Sequence, residues 1–77
     1  METYVVTLVN YEVTWNGEFI PDDYQTVEVL ALSEKDAEEK VNCLIENDPK
    51  YRFLYDNGYM IAFIESYDEY MIREEQI

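Results

Sequence analysis

Histidine is absent from these 77 residues, cysteine occurs once, and glycine and proline occur twice each. Each scarcity excludes something. Without histidine the chain lacks the commonest general base and the commonest transition-metal ligand. Cys43 alone can build neither an intramolecular disulfide nor a zinc site, and a Cys–His nucleophile pair is impossible. A solitary thiol fits a reducing compartment. The only glycines, Gly17 and Gly58, make no phosphate-cradling loop. No apolar run reaches the roughly 18 residues that would span a membrane, and the N-terminus lacks the basic start of a signal peptide. The expectation from these absences is a soluble cytoplasmic protein that is not an enzyme, with no metal and no cofactor.

Positive charge is scarce as well. Five Lys plus Arg stand against 18 Asp plus Glu, giving a net charge of −13. A magnitude of about 2–8 serves the solubility of a small domain. The excess costs stability through self-repulsion, and a domain this small has little to spare. Residues 1–32 carry six acids and no base, so the charge belongs to the body of the protein and not to a detachable tail. Hydrophobic residues make up 48% of the chain, too many for a disordered acidic segment. A single folded domain over residues 1–77 is expected.

The residues that are present read as alternating strand and helix. "TYVVTLVNYEVTW" is rich in β-branched and aromatic side chains and predicts a long first strand. Val5, Thr7, Val9, Tyr11, Val13 and Trp15 share one face; Tyr4, Val6 and Leu8 lie on the other, which turns polar at Asn10, Glu12 and Thr14. The first half of this strand is thus expected to be covered on both sides. Asn16-Gly17 marks a turn, and Pro21 argues for an irregular loop or an edge over residues 18–23. "YQTVEVLAL", Tyr24 to Leu32, predicts a second strand antiparallel to the first.

Ser33 caps a helix whose first turn holds Glu34 and Asp36, where acids suit the dipole. Ala37, Val41, Leu44 and Ile45 form its apolar stripe, and Asn47-Asp48-Pro49 ends it. Beyond it, Asn57-Gly58 signals either a hairpin joining 51–55 to 59–65, or a strand at 59–65 that follows a helical turn over 50–55. "EYMIR" adds a last short strand, with "EEQI" fraying at the terminus. The fold class is α+β: a small antiparallel sheet of three or four strands, in strand–strand–helix–strand order, with one helix on a face.

Little in this pattern carries chemistry. Asp56-Asn57-Gly58 has the look of part of a calcium loop, but the remaining ligand spacing is missing and a turn explains it. A carboxylate pair such as Asp22 with a distant Glu is the one acid–base arrangement the composition leaves open, and no motif accompanies it. Cys43, between Val41 and Leu44, reads as a small buried hydrophobe. Most of the eight tyrosines are expected to be half-buried packing residues of the sheet. Tyr67 and Tyr70, interleaved with Asp68 and Glu69, fit best as interface anchors.

On the helix, Lys35 precedes Glu39 and Asp36 precedes Lys40 by four residues, so that face is partly compensated. Glu18, Asp22 and Asp23 have no such neighbours. Neither have Glu65, Asp68 and Glu69, and Arg73 offsets only one of Glu74 and Glu75. These uncompensated acids, with Tyr67 and Tyr70, are the candidate partner-binding residues. Such a field repels nucleic acid and anionic membrane and attracts basic proteins, whose grooves mostly hold nucleic-acid phosphates. The expected partner is a basic nucleic-acid-binding protein, engaged by a monomer or homodimer of this chain.

Small size, acidity, tyrosine richness and the α+β pattern together resemble phage-encoded inhibitors of host defence, notably anti-CRISPR proteins that mimic DNA. The segment "TVEVLALSEKDAEEKV", Thr26 to Val41, is similar to a strand-then-capped-helix pattern in small phage proteins, an anti-CRISPR of Cas9 among them. The resemblance implies action in the cytoplasm of an infected bacterium, on the target or PAM site of a Cas nuclease, where DNA is read through Arg and Lys. The rival expectation is a non-enzymatic interaction or self-assembling module that uses an aromatic face or a strand edge.

Overall fold

The computed structural model describes residues 1–75. Its elements run β1 (Glu2–Val13), β2 (Phe19–Ala31), α1 (Glu34–Asn47), α2 (Arg52–Asp56), β3 (Met60–Ser66) and α3 (Tyr67–Glu75). The three strands form one antiparallel sheet in the order β2-β1-β3. The expected α+β class is therefore what the chain adopts. No helix among the described residues is long and apolar enough to cross a membrane.

Because β1 is the central strand, both of its faces can be covered, and Tyr4 to Val9 are all buried. Tyr4, Val6 and Leu8 meet Val27 and Ala31 of β2, Ala37, Val41 and Ile45 of α1, and Leu54 of α2. On the opposite face Val5, Thr7 and Val9 are buried beneath and beside α3, which packs on β1 and β3. The sheet thus lies between α1/α2 and α3, where one covering helix was expected.

Helix α1 begins as its sequence dictates. Ser33 Oγ accepts the Asp36 N–H at 3.2 Å, and Asp36 in turn accepts the Leu32 N–H at 2.9 Å. The Leu32 N–H is the main cause that holds the Asp36 carboxyl below its ordinary range. Lys40 reaches Asp36 at 3.3 Å and the Leu30 carbonyl at 2.8 Å, which ties the helix to the edge strand. The helix stops at Asp48, whose side chain accepts the Lys50 N–H at 2.9 Å. Cys43 is exposed, against expectation. Two positions beyond Val41 is roughly 200° around a helix of 3.6 residues per turn, which carries Cys43 off the buried stripe.

Three expectations for the strands and the last segment change, and one open alternative is decided. β2 starts at Phe19, not Tyr24: of the two readings of Pro21 the edge holds, and pairing continues through Tyr11↔Pro21 after a bulge between Asn10 and Tyr11. The register leaves Asp22 as the extra residue of that bulge. Of the two readings of Asn57-Gly58 the second holds: a helical turn, α2, precedes the single strand β3, and no hairpin closes. Gly58 (φ +75°) ends α2, with its N–H on the Tyr55 carbonyl and the Tyr59 N–H on the Leu54 carbonyl, a Schellman arrangement that needs a left-handed residue. "EYMIR" is helical. Ser66 is the last residue paired to β1 (at Tyr4), two residues short of that strand's first residue, Glu2. Ser66 Oγ accepts the Glu69 N–H at 3.2 Å and donates to its carboxylate at 3.0 Å, which turns the chain into α3. Glu74 and Glu75 belong to α3 and not to a frayed end; the fraying expected at Gln76 and Ile77 lies outside the described residues.

Candidate functional site

Strand β3 stops at Met60, opposite Val9, while β1 and β2 continue to Val13 and Phe19. Residues 10–24 therefore project as a two-stranded arm with no third strand beside it. Its tip is a turn in which the Gly17 N–H bonds the Thr14 carbonyl and the Thr14 N–H bonds the Glu18 carbonyl, each at 2.9 Å. Only Gly17 takes a left-handed conformation (φ +85°), which glycine adopts without steric cost. The Thr14 hydroxyl accepts the Glu18 N–H at 3.1 Å and closes the turn further.

The arm exposes apolar side chains. Trp15 at the tip is 97% exposed and Phe19 70%. Phe19 meets Tyr11 edge-on, with ring centroids 6.3 Å apart, on the sheet face that also carries Val9 and Val13. A concavity of about 610 Å³ opens where this pair meets the chain turn at Asn57-Gly58 and Met60. The same arm carries Glu12, Glu18, Asp22 and Asp23 and no Lys or Arg. Every base lies elsewhere: Lys35 and Lys40 on α1, Lys50 and Arg52 at α2, and Arg73 on α3.

The expected site residues fall into groups with different duties. Glu18 and Asp22 are exposed and carry no side-chain bond among the described residues. Asp23 is held: it accepts the Tyr59 hydroxyl and the Gln25 amide (3.0 Å). The Tyr59 bond is the main cause that lowers the Asp23 carboxyl and raises the Tyr59 hydroxyl. Glu65 is committed to Arg73 through Nε (3.0 Å) and Nη2 (2.9 Å), with its side chain only 17% exposed. Glu69 serves the cap of α3. Tyr67, Asp68 and Glu75 are exposed, and Tyr70 is half-buried under the Arg73 guanidinium. Glu74 lies 4.0 Å from Arg73 and lines a cleft with Tyr24 at the root of the arm.

The structure thus separates a 10–24 group from a group on α3 and the end of β3, and the two meet at a cleft that Tyr24 lines with Tyr70 and Glu74. Sequence reasoning missed Trp15, Phe19 and Ile20 as surface groups. Among the tyrosines, Tyr4 is buried and Tyr51, Tyr59 and Tyr70 are half-buried, but Tyr11, Tyr24, Tyr55 and Tyr67 are exposed, more than expected. Among the described residues no three His, Cys, Asp or Glu side chains come together as a metal site. Comparison with protein-family models, with curated proteins and with solved structures gave no match.

Proposed function

We propose that this chain is a non-enzymatic inhibitor that lays its arm in the basic nucleic-acid groove of a host DNA-binding protein and keeps DNA out. A Cas nuclease of an infected bacterium is the target class that the resemblance to phage inhibitors implies. One observation carries the reading: four carboxylates and no base on an arm that ends in an exposed tryptophan.

The two kinds of side chain do different work. Carboxylates take the Lys and Arg contacts that phosphates would use, and the surrounding negative field speeds encounter at low salt. Trp15 and Phe19 supply the desolvated contact area from which most binding energy comes. The high net charge disfavours a second copy as the occupant of this surface. Exposure of Trp15 and Phe19 also favours a second reading, an interaction module held by aromatic contact alone.

The experiment is capture from a nuclease-treated bacterial lysate on immobilised protein, with duplex DNA added as competitor. A captured nucleic-acid-binding protein that DNA displaces is the expected result. A partner that DNA leaves in place would overturn the inhibitor and favour the aromatic module.

A further inference from the structure

Strand β2 lies at the edge of the sheet: β1 pairs with one side of it, and no described element pairs with the other. An open edge presents unpaired backbone N–H and C=O groups, and proteins ordinarily guard it with proline, a bulge, lysine or a covering element. Both ends of this edge are guarded. Pro21 and the bulge at Asp22 interrupt it on the arm. At the other end Lys40 and Asp36 of α1 take the Leu30 carbonyl (2.8 Å) and the Leu32 N–H (2.9 Å). Between them, Tyr24 to Val29 run in unbroken register with β1 and include no proline, glycine or lysine.

Backbone direction alternates along a strand, so Glu28, Thr26 and Tyr24 turn their N–H and C=O groups to the same outer side as the Leu30 carbonyl. The side chains of all three are exposed on the α3 face, opposite Val5, Thr7 and Val9 of β1. Charge selects what can pair there. Glu28 has no ion-pair partner among the described residues. With Glu2 and Asp68 it borders a cleft of about 480 Å³ that no described Lys or Arg lines. A second copy would bring another charge of −13 and another Glu28 to this edge, and is repelled. A strand with Lys or Arg on the face it shares with Glu28 meets opposite charge instead. On the α1 face its remaining side chains lie beside Val27 and Val29, which favours apolar residues.

We propose that the 24–29 edge of β2 takes up an extended segment of a basic partner protein as a fourth, antiparallel strand, in which Lys or Arg alternates with apolar residues. Backbone bonds to Thr26 and Glu28 hold the segment, and the carboxylate of Glu28 selects its charge. The proposal rests on the reading above only in taking the partner to be a basic protein, and it adds a contact separate from the tip of the arm.

The test titrates the whole protein, 15N-labelled, with acetyl-Lys-Val-Lys-Thr-Lys-Val-Lys-amide and follows amide shifts and amide exchange. Three further peptides serve as controls: one N-methylated at every lysine, one N-methylated at every Val and Thr, and one with Glu in place of Lys. Saturating shifts centred on residues 24–29 are expected, with the Thr26 and Glu28 N–H groups exchanging at least roughly tenfold more slowly in the complex. Lysines that face Thr26 and Glu28 on the α3 side exchange both backbone bonds with them, so methylation at lysine should abolish binding. Methylation at Val and Thr, whose amides point away from β2, should change affinity by no more than about threefold. The glutamate peptide should not bind. Glu28→Gln should weaken binding roughly threefold. Thr26→Pro removes an outward N–H that the sheet does not use and should abolish binding. The methylated peptides leave the protein unaltered, so they decide the matter even if Thr26→Pro unfolds. Shifts without slower exchange at Thr26 and Glu28, equal binding of the two methylated peptides, loss only on methylation of Val and Thr, or no saturation would overturn the proposal. Strand pairing with no DNA-displaceable partner in a lysate would sink the groove reading and leave the edge standing; the converse would do the reverse.

Discussion

The Tyr59 hydroxyl donates to the Asp23 carboxylate across 36 residues of chain, and so fastens the root of the arm to the residue that leaves the α2 cap. Asp23 is lowered and Tyr59 raised by this bond. The stabilisation from Asp23 is present above the unfolded carboxylate value of about 3.9 and lost as pH falls through its lowered folded value. That from Tyr59 is present below about 10 and lost as pH rises through its raised folded value. Tyr59→Phe should therefore lower Tm most at neutral pH, with the gap to the parent shrinking toward both extremes. Thermal unfolding across pH checks this, and a gap independent of pH would contradict it.

Leu54 of the five-residue α2 is 1% exposed and plugs the core between α1 and the sheet. Leu54→Ala should cost about 2–5 kcal/mol, the range for emptying a leucine site that cannot collapse. For a chain of this size that is a large part of the total. Urea unfolding measures it; a loss below about 1 kcal/mol would mean that α2 is not part of the cooperative core.

The start of α3 depends on Ser66, whose hydroxyl both accepts from and donates to Glu69. Ser66→Ala should cost about 1 kcal/mol. Faster amide exchange over residues 67–72, with β1 unchanged, is the signature that separates loss of the cap from general destabilisation.

The arm's exposed groups should matter for binding and not for folding. Trp15→Ser and Glu18→Gln remove groups that touch no core residue, so each should change stability by no more than about 0.5 kcal/mol. Urea midpoints equal to the parent's are the expected result. A clear drop for Trp15→Ser would show that the indole packs within the molecule.

How far the sequence could be read depended on whether a signal was local. Ser33, Asp36 and the Ala37–Val41–Ile45 spacing are all within α1, and that helix is as the sequence says. The double covering of Tyr4 to Val9 was legible from two apolar faces on one strand. Asn57-Gly58 was ambiguous for a physical reason: a left-handed glycine serves a hairpin and a helix C-terminus equally, and "RFLYD" is too short to show a period. Ser66–Glu69 is an S-x-x-E pattern that the reading of "EYMIR" as a strand did not take into account. Exposure of Phe19 and Trp15 could not be read locally at all. It depends on β3 ending opposite Val9, which is a property of the pairing register.

The affinity of the captured partner, measured from about 50 mM to about 0.5 M salt for the parent, a Glu18→Gln/Asp22→Asn variant and a Trp15→Ala/Phe19→Ala variant, tests the central claim most directly. Occupation of a nucleic-acid groove by the arm requires affinity to fall steeply with salt, the carboxylate variant to flatten that slope, and duplex DNA to compete throughout. An affinity indifferent to salt and DNA, lost only when Trp15 and Phe19 are replaced, would contradict it.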